Sequence, residues 1–276
     1  MASALEIVSR VNTLASPPTS YLQLCEALKL PEDSQLDGIT KVIASDPSLA
    51  AKVLKIVNSA LYGFERKIES IRRAVIILGL QQIHDLVLGI AVSHSFRNVK
   101  MHMVNIDRFW QRSVFQGVLA SGLGRQCGLL PAERLFVAGL LADIGHLVLY
   151  QTMPEKMIQV LALSEQGESL ANAEQSIIGC HYAEVGAALL EYWKLPEFFS
   201  IVIGSQTHPV LAGDLFKEAA LLCLATWLSA FDNFPDEALS QIQLELIEKL
   251  DLTPPQLKDS FLLALDQQKE FPSFHT

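Results

Sequence analysis

Two polar residues, Asp143 and His146, lie in the middle of the otherwise apolar run Pro131 to Tyr150. They are three residues apart, a spacing that places both side chains on one face of a helix. A helix that is apolar on nearly its whole circumference is buried, and a buried carboxylate must be paired, hydrogen-bonded or bound to a metal. The run therefore predicts a core helix, with a polar site at its centre that must satisfy Asp143.

A second His-Asp dipeptide, His84-Asp85, could be mistaken for a metal-ligand pair. Adjacent residues on a helix do not share a face, and no further histidine lies near in sequence. We therefore expect a solvated pair there. The sequence contains neither a Gly-rich phosphate loop after a strand pattern nor a Gly-x-Ser-x-Gly nucleophile motif.

Three polar residues after an apolar helical stretch, Asn58, Ser59 and Tyr62, admit two interpretations. They could bind a ligand, or they could form a turn that ends a buried helix, because such turns use the same residue types. The structural interpretation is favoured.

Composition excludes several classes of function. Half of the 276 residues are apolar, and 21 Lys and Arg against 30 Asp and Glu give a net charge of −9. No basic run could follow a phosphate backbone, so nucleic acid is not an expected partner. The four scattered cysteines predict reduced thiols. Without a signal peptide or an uncharged run long enough to span a bilayer, we expect no membrane partner and a cytoplasmic location.

Helix signals dominate the chain, and period-two alternation is nearly absent, so the predicted fold is all-α. Cap signals stand at Ser3 to Glu6, Ser20 to Gln23, Asp46-Pro47, Ser70, Asn105 and Thr253-Pro254, and Gly79 is predicted to end a helix. Besides the core helix, predicted helices cover about 36–44, 47–58, 70–79, 80–96, 106–127, 154–165, 168–178, 182–194, 196–206, 213–231, 236–249 and 254–268. Polar residues 96–105 suggest two packed lobes, residues 1–100 and 101–276.

Several motifs together resemble the HDOD domain family. They are Asp46-Pro47 opening a helix, the segments AKVLKIVNSALYG (51–63) and IESIRRAVIILGL (68–80), AGLLADIG at 138–145, and AEVGA at 183–187 followed by Trp193, Leu195 and Pro196. The similarity covers about residues 14–215. It implies a fold related to the HD and HD-GYP phosphohydrolases, helical enzymes that hold one or two divalent metals with His and Asp, and it makes the second lobe HD-like.

The resemblance also implies a degenerate active site. The positions that correspond to the family's site form a vestigial site of Arg112, Ala142, Asp143, His146, Tyr182, Gln206, Thr207 and Thr226. Of the metal ligands that the resemblance implies, only Asp143 is retained. His181 and His208 lie one residue away from expected histidines, a shift of about 100° on a helix. They could bind a ligand or rebuild a metal site, but we favour polar groups at the edge of a collapsed cavity, with no metal and no cofactor.

The resemblance also suggests a partner for the Asp143 carboxylate. The resemblance places Arg112 where a metal-binding His would converge on the Asp143 carboxylate. A guanidinium there could hold the carboxylate in place of a metal. The alternative is that Arg112 turns to solvent and that backbone amides or His146 satisfy Asp143. A buried pair would make removal of Arg112 cost roughly 3 to 5 kcal/mol.

Two functions remain open from the sequence. In the first, the protein is a non-catalytic, bacterial-type signal transduction or regulatory module that binds a protein partner or a small effector. In the second, it is a metal-dependent phosphohydrolase that acts on a nucleotide or another phosphoester. Because a divalent metal site uses several convergent ligands, the missing ligands favour the first function.

Overall fold

A computed structural model describes residues 3–11, 17–96, 104–236, 239, 241–272 and 274. Over these ranges the protein is all-α, and no strand occurs among them. Short 3-10 helices cover Pro209–Leu215 and Gln268–Glu270. The α-helices are α1 (Ala4–Ser9), α2 (Thr19–Leu28), α3 (Glu32–Ala44), α4 (Pro47–Val57), α5 (Ile71–Leu78), α6 (Leu80–Ser95), α7 (Ile106–Gln126), α8 (Glu133–Leu141), α9 (Ile144–Thr152), α10 (Pro154–Ser164), α11 (Leu170–Ile177), α12 (Tyr182–Tyr192), α13 (Glu197–Gly204), α14 (Phe216–Leu228), α15 (Gln241–Lys249) and α16 (Pro254–Gln267).

Most helices begin where the sequence supplies a cap. Ser3 forms a capping box at the start of α1, and the Asp46 side chain accepts hydrogen bonds from two backbone amides of α4. Ser70, Asn105 and Thr253 cap α5, α7 and α16 in the same way. These side chains satisfy amides that have no partner inside the helix, and the cap predictions at these five residues are confirmed.

Two predicted helix starts are wrong. The second helix begins at Thr19 after Pro18, without a side-chain cap from Ser20, and the third begins at Glu32 after Pro31 instead of at Leu36. In both cases a proline in an extended conformation precedes the helix. Because the proline ring fixes φ, it sets the entry of the chain without a side-chain hydrogen bond.

The predicted core helix is interrupted at its centre. Helix α8 ends at Leu141 and α9 begins at Ile144, and the amides of Ala142 and His146 bond three residues back, to Gly139 and Asp143. This 3-10 spacing turns the chain at Asp143 and frees the Ala142 carbonyl, which accepts a hydrogen bond from Gln206 Nε2 at 2.8 Å. The prediction of one continuous helix is therefore wrong, although both halves are buried as expected.

A kink also alters the helix predicted from residue 213. A 3-10 helix precedes α14 there, because Gly213 has φ +56° and ψ −119°, a conformation that other residues avoid. Helix α15 begins at Gln241 instead of 236, and positions 237, 238 and 240 lie outside the described residues.

Helices α2 to α6 pack on one another and form the first group. In the polar turn after α4, Asn58 has the structural role that was favoured: its Nδ2 donates to the carbonyls of Leu54 and Ile68, and the Ile68 amide donates back to Asn58 Oδ1. Asn58 thereby joins the end of α4 to the segment that leads into α5. Gly79 separates α5 from α6 with a φ of +84°, which glycine adopts without strain.

The second group is built around α7 and α8, which α14 also contacts. Helix α12 packs against α9 and α13, and α16 packs against α7. Gly117 and Gly139 allow a close approach of α7 and α8, because a Cβ at residue 139 would lie 2.5 Å from Gly117 Cα. This approach places Gln116 beside the break that contains Asp143.

The two groups meet through α6 and α8. The expectation of a solvated His84-Asp85 pair is wrong, because the two side chains are only 8% and 2% exposed. Arg134 Nε donates to Asp85 Oδ2 at 3.1 Å, and Gln81 and His84 contact the other carboxylate oxygen. A cation from α8 thus compensates a buried carboxylate on α6.

The proposed division near residue 100 stays a prediction, because residues 97–103 lie outside the described ranges. Helix α1 packs against α9 and α12, although it precedes the first group in the chain. Among the described residues, one segment, Glu133–Thr152, is long and apolar enough by composition to cross a membrane. However, 83% of its most apolar window is buried within the protein, as in a core helix.

We expect Gly139→Ala to destabilise the protein by about 3 kcal/mol. The added methyl group would clash with the backbone of α7, which cannot move aside as a flexible side chain can. The matched control is Gly122→Ala in α7, where a Cβ meets nothing within 4 Å and removal of glycine from a helix should stabilise by about 0.5–1 kcal/mol. Urea unfolding measures both. Equal effects of the two substitutions would contradict a close α7–α8 contact.

Candidate functional site

A cleft of about 570 Å³ opens beside the break between α8 and α9. Arg108, Phe109 and Arg112 of α7 form one wall, and Asp143, with His146 and Tyr150 of α9, forms another. The segment after α14, from Ser229 to Asp232, closes a third side. The cleft, which we call the Asp143 pocket, therefore contains three of the residues of the vestigial site.

Asp143 is the buried anion of this pocket, with a side chain 4% exposed. Its Oδ2 accepts a hydrogen bond from Gln116 Nε2 at 2.8 Å, and Arg112 Nε lies 3.5 Å from the same oxygen. Ser229 Oγ accepts from both Arg112 Nε and Gln116 Nε2, at 2.9 and 3.0 Å, and donates to the Thr226 carbonyl. Two side chains of α7 thus contact the carboxylate, and Ser229 connects both of them to the end of α14.

The expected ion pair between Arg112 and Asp143 is within ion-pair range, at 3.5 Å. Its geometry differs from the expectation of a buried pair, because Nε is the nearest nitrogen to the carboxylate and the Arg112 side chain is 38% exposed. The closest donor to Asp143 is the neutral amide of Gln116. The cost expected for removal of a buried Arg112 therefore does not apply, since solvent screens a partly exposed pair.

His146 lies between two carboxylates. Its Nε2 is 3.1 Å from Glu174 Oε1, in an ion pair that is not aligned as a hydrogen bond, and its Nδ1 is 3.8 Å from Asp143 Oδ1. Burial lowers the pKa of His146, but the carboxylates of Glu174 and Asp143 outweigh burial and raise this pKa above its ordinary value. The geometry therefore favours an imidazolium at this position.

Tyr182 and Glu174 form the wall behind His146. The Tyr182 ring stacks on the His146 ring, with centroids 4.1 Å apart and planes 14° from parallel. The Tyr182 backbone amide donates to Glu174 Oε2 at 2.7 Å, so the fully buried Glu174 has a hydrogen bond at Oε2 and the ion pair with His146 at Oε1. Burial raises the pKa of the Tyr182 phenol well above its ordinary value, which keeps the phenol neutral.

Other residues of the vestigial site support the pocket from outside it. Gln206 Nε2 donates to the Ala142 carbonyl, and Thr226 Oγ1 donates to Gln206 Oε1 at 3.0 Å. All three are buried. Amide and hydroxyl groups at these positions make a neutral hydrogen-bonded chain from α14 to the helix break.

His181, Thr207 and His208 form a separate group. Thr207 Oγ1 lies 3.4 Å from His181 Nε2 and 3.2 Å from His208 Nδ1. None of the three lines the Asp143 pocket. Burial lowers the pKa of His181, whereas the pKa of His146 is raised. A ligand-binding role for His181 and His208 stays a prediction.

Three residues of the site escape prediction from the sequence: Gln116, Glu174 and Ser229. Gln116 follows Arg112 by four residues, so a search for polar groups on the same face of α7 would have found it. Glu174 is a lone charge on the buried side of α11, and Ser229 follows Thr226 by three residues. None of the three belongs to the vestigial site, so the sequence could indicate them only through their positions along the helices.

The residues present do not fit a divalent metal of the kind that HD enzymes hold. Within the described ranges, the His, Cys, Asp and Glu side chains form no group of three or more that could hold a metal ion. Such a site uses several convergent imidazole or carboxylate ligands. At Asp143 Oδ2 the convergent atoms are instead Nε of Arg112 and Nε2 of Gln116, nitrogens that donate hydrogen bonds and cannot ligate a cation.

Comparison with known proteins identifies the family. A model of the HDOD domain matches residues 14–209, most of the chain. This chain belongs to the HDOD family. The resemblance inferred from the helix-start, Asn-Ser-Ala-x-Tyr-Gly and AEVGA motifs is therefore confirmed, and so is the all-α, HD-like fold class.

The relatives of this HDOD chain differ in length and in assigned role. A Treponema pallidum protein of uncharacterised function is 27% identical over 94% of this chain and 52% of its own length. The chain spans about half the length of the curated relatives it matches. A solved structure of a candidate phosphohydrolase from Shewanella amazonensis SB2B is 25% identical, covers 100% of this chain and 99% of its own, and has a TM-score of 0.77.

A second solved structure is that of a candidate signal transduction protein from Marinobacter aquaeolei VT8. It is 25% identical, with a TM-score of 0.66, over 96% of this chain and 62% of its own. The neighbours thus support a regulatory or an HD-like role for the family fold without deciding between the two.

We expect Gln116→Leu to destabilise the protein by roughly 2–3 kcal/mol, because it removes the closest donor to a buried carboxylate. Arg112→Ala should cost about 1 kcal/mol or less, since its guanidinium is partly exposed. The double change Gln116→Leu with Asp143→Leu should cost less than Gln116→Leu alone, because no charge is then stranded. Urea unfolding of the three variants checks this order, and a larger loss from Arg112→Ala than from Gln116→Leu would contradict it.

We expect stability to fall as pH rises above about 6.5, the ordinary histidine pKa. The pKa of His146 is raised in the folded state, so its contribution is fully present below the unfolded pKa and is lost as pH rises through the folded pKa. Urea unfolding between about pH 5.5 and 8.5 should show this slope in the wild type and a flatter one in His146→Gln. His208→Gln, at an exposed histidine, is the control, and an equal flattening there would contradict the assignment.

Proposed function

We propose that this protein is a non-catalytic signal transduction module that acts by binding a protein partner or a small effector. Family membership and the signal transduction neighbour support a regulatory role. The proposal names neither nucleic acid nor membrane as a partner, in keeping with a net charge of −9 and with the buried position of the most apolar segment.

One observation carries the proposal: the Asp143 carboxylate is already occupied by donors of the chain itself. Gln116 Nε2 and Arg112 Nε both approach Oδ2, where HD enzymes would present the carboxylate to a metal. A cation that approached this oxygen would meet the positive guanidinium first. Hydrolysis of a phosphoester through a bound metal requires that ion to activate water or to polarise the phosphoryl group, and the donors at Asp143 oppose that arrangement.

The test combines metal analysis with an activity assay. The purified protein is incubated with Mn²⁺, freed of unbound metal and analysed for bound manganese, and bis(p-nitrophenyl) phosphate turnover is measured in parallel. We expect manganese far below stoichiometric and turnover equal to that of Asp143→Asn, which keeps the shape of the side chain but removes its charge. The Asp143→Asn control separates the pocket from adventitious metal elsewhere.

The competing function is a metal-dependent phosphohydrolase, which the similarity to the Shewanella amazonensis protein favours. Stoichiometric manganese together with turnover that disappears in Asp143→Asn would establish this function and overturn our proposal. Stoichiometric manganese without turnover would contradict the expected lack of a metal site, and turnover that survives in Asp143→Asn would arise outside the pocket.

A further inference from the structure

Arg108 and Arg112 present unused hydrogen-bond donors to the Asp143 pocket. They are four residues apart on α7 and therefore lie on one face, one helical turn from each other. Arg112 Nε donates a hydrogen bond to Ser229 and is the atom nearest to the Asp143 carboxylate. Among the described residues, the terminal amino groups of Arg112 make no hydrogen bond, and the exposed Arg108 side chain makes neither a hydrogen bond nor an ion pair. Two permanently charged arginines with unpaired planar donors thus lie on one wall of the Asp143 pocket.

A complementary acceptor lies deeper in the same pocket. Asp143 Oδ1 is buried and accepts no hydrogen bond from any described residue, and His146 Nδ1 lies 3.8 Å from it. A carboxylate oxygen can only accept. An unsatisfied buried acceptor is costly, so a ligand that donates to Oδ1 would gain that hydrogen bond on binding. The pocket therefore offers donors at its wall, and Asp143, which lines it, has one acceptor oxygen without a hydrogen bond.

The remaining lining is apolar enough to hold the body of a ligand. Phe109, Tyr150 and Phe231 line the pocket between the polar groups. A volume of about 570 Å³ falls in the range of pockets that bind small molecules, roughly 300–1,000 Å³. Asp232 at the exposed rim carries the opposite charge to the arginines. It would disfavour a ligand with several negative charges more than one with a single compact oxyanion.

We propose that the Asp143 pocket binds a small organic oxyanion, a phosphate ester or a carboxylate, that also carries hydroxyl or amino groups. Arg108 and the terminal amino groups of Arg112 hold the oxyanion, and Asp143 Oδ1 accepts a hydrogen bond from a hydroxyl or amino group. Guanidinium groups suit both oxyanions, because their planar donors match two oxygens at once. The inference rests on the proposed function, since it names the class of effector that this non-catalytic site would take.

The test is a calorimetric or NMR titration of the full chain with three sugar probes in the presence of EDTA. Ribose 5-phosphate carries hydroxyls and a phosphate, gluconate carries hydroxyls and a carboxylate, and ribose has no anion. We expect saturable binding of at least one of the two anions, the tighter one identifying the oxyanion, and at least tenfold weaker binding of ribose, since a charge-assisted hydrogen bond is worth about tenfold or more.

Three variants tie binding to the named residues. Arg108→Gln and Arg112→Gln should each weaken anion binding about tenfold and leave the melting temperature within about 4 °C of the wild type. The matched control is Arg125→Gln on the same helix, because Arg125 lies outside the pocket in an exposed ion pair with Glu133. Binding in Arg125→Gln should equal that of the wild type.

Several outcomes would overturn the inference. They are no saturable binding of either anion up to about 10 mM, equal binding of ribose, or equal weakening in Arg125→Gln and the two pocket variants. Its failure is distinct from failure of the proposed function. Absent binding with absent turnover would reject only the effector class, whereas manganese-dependent turnover lost in Asp143→Asn would reject the non-catalytic role itself.

Discussion

A buried carboxylate cannot remain without partners, and the arrangement of the second helical group follows from how Asp143 finds them. Gln116 and Arg112 reach it from α7, and Ser229 joins both of those side chains to the end of α14. Three elements distant in sequence are therefore fixed around one charge. The close α7–α8 approach at Gly117 and Gly139 makes this possible, because it brings Gln116 within hydrogen-bond distance.

The same constraint accounts for the interrupted helix. In a continuous helix, Asp143 would be an interior helical residue beside α7. Instead a 3-10 turn sets the residue at the start of α9, and Gln206 satisfies the carbonyl that the turn releases at Ala142. Thr226 in turn holds the Gln206 side chain. Neutral side chains at these positions thus support the turn through hydrogen bonds, without any charge beyond that of Asp143.

Local features of the fold were predictable, and features that depend on distant contacts were not. Ser3, Asp46 and Asn105 cap helices through bonds to residues within three positions, so the sequence contains both partners. Burial of Asp85 depends on Arg134, 49 residues away, and a polar residue in a helix does not reveal what it will meet. Glu174 was not predicted for the same reason. The motif resemblance did place Arg112 near Asp143, because a family resemblance contains information about tertiary structure.

Among the described residues, the buried carboxylates of Asp85 and Asp143 each contact an arginine, and these contacts differ in a way that bears on function. At Asp85, Gln81 and His84 complete the carboxylate, and the Arg134 guanidinium lies 3.9 Å from the centroid of the Phe198 ring, at the junction of α6 and α8. That cation is used for packing. At Asp143 one carboxylate oxygen accepts no hydrogen bond, and Arg112, 38% exposed, turns unpaired donors toward a cleft. The two arginine side chains differ little in exposure, 38% for Arg112 and 28% for Arg134, so the incomplete pairing at Asp143 is the feature that argues for a ligand.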